Sequence, residues 1–189
     1  MTKKINWEMV NKSIFIATLL DINAWNRKAN ELIYSASLLE PKVIQIWNDL
    51  KSVFYGKDAK PGSTGYIGTY FMLNAFAIEN IIKAKIILKN QIKFRNTVKQ
   101  KGRLPDEMKG HDLFKLAKSL NMQIDSAEED LLRRLSRSAV WAGRYPVPIF
   151  SEDLSGQQYS DGKIYNDSRY MRADIEKIKT LIDKIKLHC

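Results

Sequence analysis

Residues 65–90, GYIGTYFMLNAFAIENIIKAKIILKN, constrain the fold more than any other stretch. Beyond Gly68 they run without Gly or Pro through residues that suit a helix of several turns. The apolar positions are not confined to one stripe. Met72, Ala75, Phe76, Ile82 and Ile86 fall on one side, and Tyr70, Leu73, Ala77, Ile81, Ala84 and Leu88 on the other. A helix that is apolar all round belongs at the centre of its domain. Glu79 and Lys83 interrupt the first face one turn apart, in the favourable acid-before-base order. Buried charges need partners. The pair is therefore either a structural brace or a polar wall of a ligand cleft, and the helix by itself leaves both open.

The flanking chain also reads as helical. Trp7, Val10, Ile14, Ala17 and Leu20 follow a helical period. A second amphipathic stretch covers residues 23–39, and Pro41 suits the first turn of a third, residues 42–54, with Val43, Ile46, Trp47 and Leu50 in register. Trp7, Trp25 and Trp47 are expected between packed helices. GKDAKPGSTG, residues 56–65, is a connecting loop: it lacks the phosphate-loop spacing GxxxxGK[ST], and no strand precedes it.

A basic stretch follows the central helix, with Lys89, Lys93, Arg95, Lys99, Lys101 and Arg103 interleaved with Ile92, Phe94 and Val98, before Gly102 and Pro105 break it. It is either a solvated helix end or a phosphate-contacting surface. His111, the one histidine outside the C-terminal tail, opens a helix whose buried stripe is Leu113, Leu116, Ala117 and Leu120. A histidine there caps, orients a loop or moves protons. Ser126 and Glu129 stand at capping-box spacing before a helix that buries Leu132, Leu135 and Ala139. Another face of that helix carries Asp130, Arg134, Arg137 and Trp141, so Asp130 can pair with Arg134, and Arg137 can lie against the indole. Gly143, in a left-handed terminal conformation, and Pro146 and Pro148 should end the helix. Residues 150–166 suit a surface loop or small hairpin, and Asp167 or Ser168 should cap a last helix bearing Met171, Ile175, Ile178, Leu181, Ile182 and Ile185.

The net charge of +10, from 31 Lys and Arg against 21 Asp and Glu, favours anionic partners. The single cysteine, Cys189, excludes a disulfide framework and a cysteine-based metal site, and fits a reducing cytoplasm. No run approaches the roughly 20 apolar residues that span a bilayer. The apolar run 14–20 lacks the surroundings of a signal peptide, because Asn6, Glu8, Asn11 and Lys12 intervene. The expectation is one all-α domain over residues 1–189: N-terminal helices to residue 55, a core at about 66–148, and a loop with a C-terminal helix over 149–189.

Three motifs occur in order: AFAIENIIKA (75–84), GHDLFKLA (110–117) and LLRRLSRSAVWAGRYPVP (131–148). Together they resemble the HEPN family of small helical domains, whose members carry A-x-E-x-x-x-K, then H-D-L-x-x-L-A, then R-Y-P after a long helix. The likeness spans about residues 66–148. It implies an up-and-down helical bundle, here with additional N-terminal helices. It also implies a role around RNA or nucleotides, often in toxin–antitoxin or phage-defence systems, and a homodimer or a partner such as a small nucleotidyltransferase. No cofactor or metal is implied.

Many members are metal-independent ribonucleases with an Arg followed a few residues later by a His. This chain departs from that pattern: no His follows Arg137 within reach, and Arg103, with seven residues between it and His111, is too far away and lies before a different helix. The resemblance therefore implies a non-catalytic or weakly catalytic binding protein, with Lys83, His111, Arg137, Trp141, Arg144 and Tyr145 around one cleft. Two alternatives stand beside it: a ribonuclease using His111 and Arg144, and a purely structural dimerisation module in which Glu79 and Lys83 brace the core.

Overall fold

A 37-residue helix, α3 (Gly65–Lys101), forms the axis on which the other elements pack. The computed structural model describes residues 6–145, 157–158, 162, 164–165 and 170–188. Before α3 come α1 (Trp7–Leu20) and α2 (Ile22–Phe54). After it come a single 3₁₀ turn (Asp106–Met108), α4 (Leu113–Ser119), α5 (Ser126–Arg137) with a π-helical last turn (Ser138–Ala142), and α6 (Asp174–Leu187). The only strands among the described residues are β1 (Gln157–Gln158) and β2 (Ile164–Tyr165), a two-residue antiparallel pairing. The molecule is an all-α bundle.

The expected burial of α3 is present over most of its surface, with Leu88 an exception at 61 % exposed and Met72, Leu73 and Phe76 half-buried. Tyr70, Phe71, Ala75, Ile78, Ile82, Ile87, Phe94 and Val98 all lie in one contiguous core that also takes residues from each of the other helices. The helix does not stop near residue 90 as expected. Asn90 leaves helical geometry (φ −126°, ψ 21°) while its side-chain amide donates to Ile86 O (2.8 Å), and α3 resumes through the basic stretch. Buried Phe94 and Val98 give that second half an apolar stripe. Gly102, at φ 62°, supplies the left-handed residue that ends it.

Residues 22–54 form one helix, not two. Pro41 sits on the exposed side of α2, while Ala36, Val43 and Ile46 face the core. An internal proline costs roughly 3 kcal/mol. Here the apolar face runs past it on both sides and sustains the helix. α2 lies antiparallel to α3: the Tyr70 hydroxyl donates to Glu40 Oε2 (3.3 Å), and Ile22, Asn26 and Asn30 border the same cleft as Ile81 and Leu88. Trp25 and Trp47 pack against the core as expected. Trp7 does not; it is 64 % exposed.

Three further expectations are corrected. Asp125, not Ser126, caps α5: it accepts from Glu128 N (2.8 Å), and Glu128 returns the bond to Asp125 N (3.0 Å). Glu129 instead lies buried against Arg133 (2.8 Å). Gly143 is not left-handed (φ −88°); it is required because a Cβ there would meet Met72 Cβ at 2.5 Å. The last helix begins at Asp174; Asp167 and Ser168, like Pro146 and Pro148, lie outside the described residues. Met171 precedes that helix and is exposed, whereas Ile175, Ile178, Leu181, Ile182 and Ile185 are buried.

α5 and α6 are clasped by charge. Arg134 donates bidentately to the fully buried Asp174 (2.7 and 3.1 Å) and also to Asp130 (2.8 Å). Burial alone would lower the guanidinium pKa; the hydrogen bonds and charges of the two carboxylates outweigh it and raise the pKa above its ordinary value. Tyr170 stacks on Phe71 (3.5 Å between centroids) and donates to Arg134 O (2.8 Å). Burial raises its phenol pKa well above the usual value.

Candidate functional site

Met72, Phe76, Glu79 and Lys83 occupy one narrow stripe of α3, because positions three and four apart share a helix face. The loop before α4 and the π-helical turn after α5 converge on that stripe. Lys83 Nζ donates to Glu79 Oε1 (2.6 Å) and to Gly110 O (3.2 Å). His111 Nδ1–H donates to the other carboxylate oxygen, Glu79 Oε2 (2.8 Å). Both Glu79 and Lys83 side chains are 9 % exposed, whereas His111 is 45 % exposed. One buried carboxylate thus joins a core lysine to a surface imidazole. Asp112 holds the approach by capping α4, accepting from Lys115 N (2.9 Å), and Ser136 Oγ on α5 accepts from Leu113 N (2.9 Å).

With Nδ1 tied to the carboxylate, His111 Nε2 bonds to no described residue. The same carboxylate–imidazole arrangement fixes tautomer and ring orientation wherever a histidine is used as a base or ligand.

The His111 ring lies edge-on to Phe76, 6.5 Å between centroids. The Arg144 guanidinium lies 5.9 Å from the centre of that same Phe76 ring and 5.6 Å from the Tyr145 ring. One terminal nitrogen of Arg144 donates to Ala139 O (2.8 Å) and to Val140 O. Its other terminal nitrogen and Nε donate to nothing among the described residues. A guanidinium carries five N–H donors, so Arg144 keeps unused ones while its position is held. Arg144 and Tyr145 are exposed.

The π-helical turn puts them there. Gly143 N donates to Ser138 O (3.3 Å), five residues back, and Gly143 fits against Met72 on α3. Gly68 lies beside Ala142 O and Gly143 Cα.

Of the six predicted binding residues, three share this exposed patch: His111, Arg144 and Tyr145. Lys83 stands behind it, committed to Glu79 and Gly110. Arg137 is buried on α5 with the Arg134–Tyr170 clasp, and Trp141 is half-buried. Two contributors are missed by sequence reasoning: Glu79 as the anchor of His111, and Phe76 as the ring shared by His111 and Arg144. Their place on the Lys83 face was readable from spacing; the 32-residue link from Glu79 to His111 was not.

No group of His, Cys, Asp and Glu among the described residues could hold a metal ion. No helix among them is long and apolar enough to cross a membrane. No protein-family profile, curated protein or solved structure matches the chain.

Proposed function

We propose that the chain is a HEPN-like helical module that binds RNA or a nucleotide phosphate, with little or no catalysis, on the patch formed by His111, Arg144 and Tyr145. The observation that carries this reading is the pair of exposed polar groups flanking Phe76: an anchored imidazole with Nε2 open, and an anchored guanidinium with donors unused. A guanidinium matches phosphate by its planar fork, and the exposed Tyr145 ring offers a base a stacking face. Both groups are held before a ligand arrives, which lowers the ordering cost of binding. The +10 net charge draws the polyanion in.

Fluorescence anisotropy with labelled single-stranded RNA at low salt tests it. Wild type should bind, and Arg144→Ala should weaken binding about tenfold or more, the worth of a charged hydrogen bond. No binding by wild type would remove the reading.

One observation favours a catalytic version of the same site: Nε2 of His111 is placed as a general base. It would take the 2′-hydroxyl proton as the 2′-oxygen attacks phosphorus, with Arg144 steadying the phosphorane; the P–O5′ bond then breaks and the 5′-oxygen takes a proton from water, giving a 2′,3′-cyclic phosphate and a free 5′-hydroxyl. RNA cleavage in EDTA by wild type and His111→Ala separates the two. Equal rates would take His111 out of any mechanism.

A further inference from the structure

Two clefts beside α1 stand apart from the His111 patch in their lining and come near it in the chain through Asn80. α1 packs across α3 and leaves two adjoining clefts that share Phe15. The first, about 520 Å³, is polar and is bordered by Asn11, Lys12, Gln100 and Lys101, with Glu8 as its one acid. Lys12 and Lys101 are exposed; no direct salt bridge to either is seen among the described residues, and Lys101 feels Asp106 only through its field. The second cleft, about 330 Å³, is mostly apolar; Phe15, Trp25 and Leu104 line it, with Asn80 in its wall. The Trp25 indole is held by donation to Leu19 O (3.0 Å). Asn80 spends its amide N–H on Phe76 O (2.7 Å) and leaves its oxygen without a donor among the described residues. Asn80 is one turn along α3 from Phe76, the residue whose ring His111 and Arg144 flank.

The cations of the first cleft adjoin, through Phe15, the aromatic walls and amide acceptor of the second, and that acceptor is one turn of α3 from the ring between guanidinium and imidazole. Cationic grooves interleaved with aromatic rings are how proteins follow a single strand: lysines meet the backbone and rings take bases. We infer that the groove between α1 and α3 is a track for single-stranded RNA leading to His111, so that the ligand is an extended strand, not a mononucleotide. This rests on the phosphate-binding reading above. It also gives α1, which lies outside the motif-bearing segment, a part in binding.

Uridine oligomers separate the two claims. Anisotropy would be measured with a dinucleotide, a tetranucleotide and an octanucleotide. Affinity should climb with length in wild type. Lys12→Gln with Lys101→Gln should keep dinucleotide affinity, lose the gain with length, and flatten the dependence of log affinity on log salt by about 1.4, at about 0.7 for each lost phosphate contact. Phe15→Ala, at a half-exposed side chain, should weaken the octanucleotide about tenfold and leave the dinucleotide unchanged. His111→Ala should do the reverse, lowering dinucleotide affinity while keeping the increment with length. An octanucleotide that binds wild type no better than the dinucleotide would overturn the track and leave the phosphate site standing. So would a length gain that survives the double lysine substitution, or competition by polyglutamate as strong as by the octanucleotide. Failure of every oligomer to bind would remove both.

Discussion

Glu79 makes two contacts at once, one with each carboxylate oxygen. The Lys83 contact is buried and structural; the His111 contact reaches the surface. The two uses can be separated by substitution. Glu79→Ala leaves the Lys83 ammonium buried opposite a lost charge and should cost about 3–5 kcal/mol. Replacing both ends with apolar residues, Glu79→Leu with Lys83→Met, removes the orphaned charge and should recover most of that loss in denaturant melts. The double variant would still lack the anchor for His111. RNA affinity should therefore stay low while stability returns. If affinity recovers along with stability, Glu79 is a brace and nothing more.

Helix-scale features divide between those that periodicity reveals and those that depend on a neighbour. The apolar pattern of α3 marks it as central, and the buried stripes of α4, α5 and α6 fall where the period puts them, Met171 excepted. Pro41 misled, because a proline's local cost is readable and the apolar face that overrides it on α2 is only realised against α3. Trp7 misled together with its stripe: Ile14 and Ala17, in register with it on α1, are exposed as well, and the helix instead turns Leu19, with Ile16 and Leu20, to the core. Gly143 was marked as special, with the wrong cause. Backbone freedom is not what it supplies; it supplies room for Met72. Gly143→Ala should push the π-helical turn off α3, at about 1–3 kcal/mol for the overpacking, and should move Arg144 away from Phe76. Thermal melts with RNA titration would show both losses together. Where α6 meets the last turn of α5, Asp174→Ala removes the bidentate partner of Arg134 and the acceptor for Met171 N (2.7 Å). A fall of about 3–5 kcal/mol is expected, with Asp130 still on Arg134.

At the scale of the whole molecule, the two tyrosines that pin α3 to its neighbours set the alkaline limit of the fold. Burial raises the phenol of Tyr70, with the negative charge of Glu40 adding to it, and burial raises Tyr170 despite the Ser138 hydrogen bond and the Arg134 charge. In the unfolded chain both titrate near pH 10. Below that pH the phenols are neutral in both states and contribute no slope. Above it the unfolded chain sheds two protons that the folded protein keeps. Stability should then fall by about 2.7 kcal/mol per pH unit, at about 1.36 for each proton, until the folded pKa values are reached. Net charge works against this at first, since raising the pH relieves the self-repulsion of a +10 molecule. A downturn beginning near pH 10 therefore points to buried groups. Lys179 adds to it: its hydrogen bond to Glu40 (2.7 Å) raises its pKa, and that exposed contact fades as pH passes the raised value. Guanidinium melts from pH 8 to 11 would measure the slope. Tyr70→Phe and Tyr170→Phe should each remove about half of it, although Tyr170→Phe also lowers stability at every pH by losing its bond to Arg134 O. A slope unchanged in both variants would mean that neither phenol is held neutral by the fold, and that the contacts joining α3 to α2 and α6 are looser than their geometry implies.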